Sequence, residues 1–252
     1  MASHESPAVP RAPRLSIVIP AYDEAQRIGP ALRSIASHFG ERRGEVEAIV
    51  IDDGSRDGTA DVAEAVAAEI GLRLRVHREP QNRGKGFAVR RGMLDARGGA
   101  VLFTDADLSV SIDHVDRFLA RLDEGADAVV GSRRAPGAHI ARHQPALRER
   151  LGSVFRELAR VLLVPGVSDF TCGFKLYRRE AAQRIFSRQR LWGWGFDVEI
   201  ALIARRQGLR VVEEPVEWVD DARSRVRLGR DALRSALDLA RIRWNDLRGR
   251  YA

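Results

Sequence analysis

Cysteine and lysine are almost missing from this chain of 252 residues. There is one cysteine, Cys172, and of the 42 basic side chains only Lys85 and Lys175 are lysines. A single thiol excludes an intramolecular disulfide framework, and without a Cys/His cluster a structural zinc site is excluded as well. A reducing, intracellular setting is the expectation. Nowhere does an uninterrupted apolar run approach the roughly 18 residues that a bilayer-spanning helix needs. The opening residues MASHESPAVPRAPR lack the apolar centre of a signal peptide. The remainder is globular in character, with 44% apolar and 31% charged residues, a mixture able to build a sizeable core.

Positive charge exceeds negative by 7, and it is unevenly placed. Residues 133–160 hold seven Arg and two acids, and residues 223–250 hold nine Arg and three acids, which leaves the rest of the chain mildly acidic. Two basic segments on an acidic body point to an anionic surface, either nucleic acid or membrane, or to a phosphate-bearing ligand. Solvated helix faces would look the same. From Pro145, apolar residues at Leu147, Leu151, Val154, Leu158 and Val161 alternate with Arg148, Arg150, Arg156 and Arg160, which reads as an amphipathic basic helix. Leu233, Ala236, Leu237 and Ala240 form a second stripe among Arg230, Arg234, Arg241 and Arg243. Each stripe suits an anionic interface or a face packed on the sheet.

Residues 1–13 read as a Pro-rich tail and residues 14–252 as one domain. From Leu15, short apolar runs (Leu15–Ile19, Ala48–Ile51, Leu72–Val76, Val101–Phe103, Ala128–Val130) alternate with stretches of helical periodicity. This order predicts an α/β fold with a mostly parallel, Rossmann-like sheet covered by helices on both faces. The alternation stops after residue 135, so 14–135 reads as the sheet-building part. Residues 136–252 read as a largely helical part with one further strand near Val211–Val219. Ligands of such sheets bind at the carboxyl ends of the strands. Asp23 and Glu24, Asp52 and Asp53, Asp105 and Asp107, and Arg133 and Arg134 all fall there.

Two common nucleotide sites are excluded. The loop after the first strand, Pro20-Ala-Tyr-Asp-Glu-Ala-Gln-Arg27, has no glycine, whereas a dinucleotide fold needs a Gly-rich turn against the pyrophosphate. Asn82-Arg-Gly-Lys-Gly86 lacks the first glycine and the Ser or Thr after lysine that a phosphate-binding P-loop requires. Thr104-Asp-Ala-Asp107 instead sets two carboxylates two residues apart after an apolar strand, where both can approach one cation. Carboxylate oxygens favour Mg²⁺ or Mn²⁺, which would bridge a diphosphate.

Taken together these motifs resemble the inverting glycosyltransferases of family 2, which have the GT-A fold. Ile17-Val-Ile-Pro-Ala-Tyr-Asp-Glu24 is similar to that family's first strand and loop, with Asp23 where Asn is usual. Ile49-Val-Ile-Asp-Asp-Gly-Ser-Arg-Asp-Gly-Thr59, Asn82–Gly86, Asp105–Asp107 and Gly131-Ser-Arg133 follow in the family's order. Asp169-Phe-Thr-Cys-Gly-Phe-Lys-Leu-Tyr177 and Trp194-Gly-Phe-Asp-Val-Glu199 resemble the polyprenyl-phosphate branch, meaning dolichyl-phosphate β-glucosyltransferases and dolichyl-phosphate mannose synthases. This chain departs from them in lacking membrane helices, and it has Ser109 where a mannose-synthase site often has Gln.

The resemblance implies that 14–135 is a nucleotide-sugar-binding part and 136–252 an acceptor- and membrane-facing part, and it implies a role for each position. Pro20, Tyr22 and Glu24 would line the nucleoside pocket, and Asp52 and Asp53 would accept hydrogen bonds from base or ribose. Asp57 and Thr59 read better as a helix cap. Asn82 and Lys85 would close over the donor, Lys85 reading equally as an exposed residue near a helix start. Asp105 and Asp107 would hold the Mg²⁺ or Mn²⁺ that neutralises the departing diphosphate. Arg133, then Arg134, would bind the acceptor phosphate bidentately. Asp197 is the carboxylate expected near the acceptor, and Glu199 reads equally as a helix-start residue. Trp192 and Trp194 would line the acceptor or sugar site or belong to the core.

The expected activity is inverting transfer of a hexose, glucose from UDP-glucose, to a polyprenyl or dolichyl phosphate. The expected place is the inner face of the cytoplasmic membrane, on an anionic surface, without nucleic acid as partner. The alternatives are mannose from GDP-mannose, a soluble phosphorylated acceptor on the same fold and, more remotely, an Arg-rich nucleic-acid binder.

Overall fold

The computed structural model describes residues 12–142, 153, 157–161, 163–164, 167–219 and 228–252. Strand and helix alternate first: β1 (Leu15–Ala21), α1 (Ala25–Phe39), β2 (Val46–Asp52), α2 (Thr59–Ile70), β3 (Leu74–Arg78), α3 (Lys85–Asp95), β4 (Ala100–Thr104), α4 (Val115–Asp123) and β5 (Ala128–Ser132). They are followed by β6 (His139–Arg142), β7 (Phe174–Arg178), α5 (Arg179–Arg188), α6 (Phe196–Arg206), β8 (Val211–Pro215), β9 (Glu217–Val219) and α7 (Leu228–Leu247).

Seven strands make one sheet in the order β3-β2-β1-β4-β7-β5-β8, and β6 pairs with β9 in a small second sheet. All neighbours in the large sheet are parallel except β7, which runs antiparallel between β4 and β5. The period of two along each strand divides the side chains between two cores. Leu15, Ile17, Ile19, Val46, Ala48, Val50 and Leu102 pack with Ile28, Leu32, Ile35, Ala63, Phe118 and Leu122 of α1, α2 and α4. Val18, Ile49, Ile51, Val101 and Phe103 pack on the other face with Val89, Met93, Ile185, Phe186, Phe196, Ile203 and Ile242 of α3, α5, α6 and α7. Burial on both faces is why these strands read as unbroken apolar runs.

The expectation of a largely helical second half needs correction. Phe174–Arg178 is a central strand, invisible as an apolar run because a charged residue, Lys175, is buried within it at 2% exposure. The strand foreseen at Val211–Val219 divides at Val216 into β8, in the main sheet, and β9, paired with β6. Most of the basic stripe from Pro145 lies outside the described residues; within them, Leu158 and Val161 are exposed and Ala159 is buried. On α7 the inward face runs through Leu239, Ile242 and Asn245, while Leu237 and Ala240 face outward. No described helix is long and apolar enough to cross a membrane.

An antiparallel strand begins where its parallel neighbours end. The segment leading into β7, Asp169–Gly173, is therefore delivered to the carboxyl-end edge of β4 and β5.

Candidate active site

Two loops at that edge are laced together by side chains. Asp23 N–H donates to Ser55 Oγ (2.9 Å) and Arg56 N–H to Asp23 Oδ1 (2.8 Å). The first amides of α1 have no partner within the helix and are met from the neighbouring loop: Glu24 N–H donates to Thr59 Oγ1 (2.8 Å) and Ala25 N–H to Asp57 Oδ2 (3.0 Å). Burial pushes the Asp57 carboxyl up, but hydrogen bonds from Thr59 and Ala25 outweigh it and hold it below its ordinary value. Asp57 and Thr59 thus act as caps. Asp23 sits at φ +50°, a left-handed conformation that Asp and Asn tolerate better than most residues. Pro20 is half-buried at the end of β1, Tyr22 is exposed, and Glu24 is bound to Arg27 at 2.9 Å.

Asp52 and Asp53, both buried, divide the work differently from the expectation. Asp52 Oδ1 accepts from Ser55 N–H at 2.8 Å and closes the turn after β2. Asp53 was expected to accept from base or ribose. Its oxygens are instead occupied by Arg83 N–H (2.9 and 3.1 Å) and Gly84 N–H (2.7 Å), which tether the loop before α3. Burial raises the Asp53 carboxyl above its ordinary value, and these two backbone donors only partly offset it. The tether requires Gly54, at φ +78°, because a Cβ there would lie 2.6 Å from the carbonyl carbon of Gln81.

The loop beyond Asp53 presents Lys85 at the start of α3, with Asn82 exposed ahead of it. Lys85 is not an exposed helix-start residue. Its Nζ lies 2.6 Å from Asp105 Oδ1, 5.4 Å from the ring centre of Phe103 and 5.3 Å from that of Trp194. Burial works against the ammonium, but Asp105 and then Asp197 outweigh it and hold Lys85 above the usual lysine value. The Asp105–Asp107 loop is a tight turn: Leu108 N–H donates to Asp105 O (3.1 Å) and Ser109 N–H to Asp107 Oδ1 (3.0 Å). Leu108 stands at φ +46°, strained for a branched side chain and placed beside the two carboxylates.

Among the described residues no three His, Cys, Asp or Glu side chains converge on one point. Two carboxylates alone make a poor resident site for an ion. They suit Mg²⁺ or Mn²⁺ that keeps water and phosphate oxygens in its remaining positions. The packing accommodates this arrangement: a Cβ on Gly173 would overlap Asp105 Oδ2 and come within 2.6 Å of its Cγ, so the carboxylate lies in a cradle left open by glycine.

On the far side of Gly173 stands Arg133, at the end of β5. Its Nε and Nη2 donate to the two oxygens of Asp169 (2.7 and 2.9 Å), and Nη2 also donates to Thr171 Oγ1 (2.7 Å). Its guanidinium lies 5.3 Å from the ring centre of Trp218. Burial raises the Asp169 carboxyl, yet the Arg133 guanidinium more than compensates and brings it down to about 2. The neighbouring Arg134 is exposed and donates to Ser153 Oγ at 3.2 Å.

Asp197, the carboxylate expected near the acceptor, is not an exposed side chain. It is buried at the start of α6 and holds Lys175 Nζ at 2.5 Å. Its charge still acts on both Lys85 and Arg133. Glu199 is structural: it accepts from Leu191 N–H (2.8 Å), Arg190 N–H (3.0 Å) and Tyr251 Oη (2.7 Å). Trp192 and Trp194 are about half-exposed and so belong to no core. Cys172 is buried and its thiol is pushed up to about 12, chiefly by burial, which leaves it inert as a nucleophile. Sequence reasoning gave no role to Asp169, Thr171, Gly173 and Lys175. The available signal was the resemblance of the whole stretch Asp169–Tyr177 to the polyprenyl-phosphate branch, which assigned none of these residues a part.

The family model for glycosyl transferase family 2 matches residues 16–186. The chain belongs to that family. A dolichyl-phosphate beta-glucosyltransferase of Trichomonas vaginalis is 36% identical over 239 residues, covering 90% of this chain and 70% of the relative. The dolichyl-phosphate beta-glucosyltransferase of Homo sapiens is 33% identical over 255 residues, covering 94% of this chain and 77% of the relative. The fold is that of GT-A glycosyltransferases. The crystal structure of Mycobacterium tuberculosis glucosyl-3-phosphoglycerate synthase superposes with a TM-score of 0.65 at 24% identity, covering 91% of this chain and 80% of that one. A Pyrobaculum calidifontis mannosyltransferase in complex with GDP-Man and Mn²⁺ gives 0.64 at 23%, covering 94% and 65%. As a family 2 member, this chain places its acidic loop and its half-buried Arg133 on either side of one short segment, Asp169–Gly173.

Proposed function

We propose that this chain transfers glucose, with inversion, from UDP-glucose to the phosphate of dolichyl or a related polyprenyl phosphate, at the cytoplasmic face of a membrane. The observation that carries the reading is the double use of Asp169–Gly173. One end of this segment anchors Arg133 and the other cradles Asp105. A cation for an acceptor phosphate and a carboxylate for a donor's metal are thus met by residues four positions apart on one segment. The curated relatives named above supply the sugar and the lipid.

An acceptor phosphate monoester has its second pKa near 6 and is largely dianionic at neutral pH. One of its oxygens attacks the anomeric carbon from the face opposite the diphosphate. The new C–O bond forms as the old one breaks, its electron pair leaves with UDP, and the configuration inverts. No proton has to be removed. The two carboxylates of α6 that could have served as a base, Asp197 and Glu199, are both buried and engaged, in keeping with this. The protein's task is to bring two anions together. Arg133, fixed by Asp169, offsets the acceptor charge. Lys85, steadied between Asp105 and the Trp194 ring, adds positive charge beside the donor. Asp105 and Asp107 would hold a divalent ion, which when bound supplies Lewis-acid stabilisation of the departing diphosphate. Pro20, Tyr22, Glu24 and Asp52 border the nucleoside, Asn82 lies on the loop that Asp53 tethers, and Arg134 stands at the acceptor side.

The test supplies labelled UDP-glucose or GDP-mannose, Mg²⁺ or Mn²⁺, and short-chain polyprenyl phosphate, and measures label in the organic phase. Glucosyl lipid formed from UDP-glucose is the expected result. Turnover onto 3-phosphoglycerate with no lipid product would overturn the acceptor, and product from GDP-mannose alone would overturn the donor.

A further inference from the structure

The outer face of α7 carries more apolar surface than a water-facing helix should. Leu237, Trp244 and Leu247 are 52%, 55% and 67% exposed, and Ala240 between them is exposed as well. Their spacing of three, four and three residues sets them in one line, about 15 Å long at 1.5 Å per residue. The opposite side, with Leu239 and Ile242, is packed into the core.

Charge on this helix is sorted in the same way. Asp238 and Asp246 are turned inward, Asp246 binding Arg206 at 2.6 Å and Arg243 at 3.3 Å, and Asp238 lying 3.3 Å from Arg241. Arg241, Arg243 and Arg248 remain exposed around the stripe, with the Arg248 guanidinium 4.3 Å from the ring centre of Trp244. Among the described side chains, a line of Leu and Trp rimmed by arginines is the composition of a helix that lies in a bilayer interface.

The stripe also starts at the site. Loop 193–195 lies directly on α7, where a Cβ at Gly195 would come within 2.6 Å of Asp238 Cβ. That loop carries the exposed Trp194, whose ring centre is 5.3 Å from Lys85 Nζ. Exposed apolar surface is therefore found both beside the Lys85–Asp105 pair and along the helix that this loop touches.

We propose that the outer face of α7, formed by Leu237, Ala240, Trp244 and Leu247 with Arg241 and Arg248, seats the protein on an anionic lipid bilayer and holds the Trp194 side of the site at headgroup level. The purpose of such a seat rests on the polyprenyl-phosphate reading above; the face itself does not. A bilayer suits this face better than a second copy of the chain. Two-fold pairing through the stripe would bring its arginine rim against the same rim, whereas anionic headgroups complement it.

Flotation of the full chain tests this, with vesicles of phosphatidylcholine alone or containing about one-third phosphatidylglycerol. The expected result is binding to the anionic vesicles only, weakened at least a hundredfold in the double variant Trp244→Ala, Leu247→Asp. That variant should keep its melting temperature and its turnover of a water-soluble short-chain acceptor. Equal binding by the variant and the parent would overturn the inference, as would no vesicle binding together with a dimer that the variant dissociates in sedimentation equilibrium. Vesicle binding without lipid glucosylation would defeat the acceptor reading and leave the seat standing. Glucosylation of a short-chain acceptor without vesicle binding would do the reverse.

Discussion

Replacing Asp169 by alanine strands Arg133. The carboxylate is 1% exposed and accepts from Arg133 Nε, Arg133 Nη2 and Thr171 Oγ1, so its removal leaves a largely buried guanidinium without its counter-ion. Breaking a buried pair from one side typically costs about 3–5 kcal/mol, because the surviving charge is uncompensated. For a chain of this length 1 kcal/mol moves the melting temperature by about 2–4 °C, so a fall of roughly 6–20 °C is expected by calorimetry. Removing both partners, as Asp169→Ala with Arg133→Met, should recover part of that loss, since no charge then remains buried. In activity, Asp169→Ala should raise KM for the acceptor phosphate well beyond any change in KM for UDP-glucose. A melting temperature within about 2 °C of the parent, or a double variant less stable than Asp169→Ala, would refute the account of a dehydrated pair.

Other consequences follow from the same geometry. Asp169 is depressed to about 2 in the folded chain, below its unfolded value near 3.9. Its contribution, about 2–3 kcal/mol, is therefore complete above about pH 5 and is progressively lost as pH falls towards 2, to be read from acid unfolding of the parent against Asp169→Asn. Gly173→Ala should displace the Asp105 carboxylate and abolish metal-dependent turnover by at least about a hundredfold, with weaker Mn²⁺ binding by electron paramagnetic resonance in the presence of UDP. Full activity in Gly173→Ala would remove the cradle from the account. Tyr251→Ala, which empties a fully buried position and removes the hydroxyl that donates to Glu199 Oε1, should cost about 3–5 kcal/mol in urea unfolding. Cys172 should resist thiol reagents in the native chain and react at once in denaturant.

How much could be read without coordinates follows from what each residue's role depends on. β1, β2, β4 and β5 were legible because burial on both faces makes them apolar runs, and the turns after them were legible because acids and glycines interrupt those runs. Asp105 and Asp107 could be singled out because two carboxylates at the end of such a strand are a local pattern. β7 was not legible, since its buried Lys175 breaks the apolar signal and is tolerated only because Asp197, 22 residues further on, meets it. Asp53 looked like a ligand-binding acceptor and proves to be a tether, because its partners, Arg83 and Gly84, are 30 and 31 residues away.

The sequence alone determined the α/β class, the edge of the sheet where chemistry gathers, and the residue types able to meet a metal and a phosphate. All of these depend on side-chain periodicity and on neighbours within a few positions. The tertiary structure decided which of those residues are open to the cleft and which are consumed by one another. It turned Asp197 inward, fixed Arg133 on Asp169, set Asp105 against Gly173 and brought Leu237, Trp244 and Leu247 to the surface. Those outcomes depend on contacts between distant segments, which exist only once an antiparallel strand has been threaded into a parallel sheet.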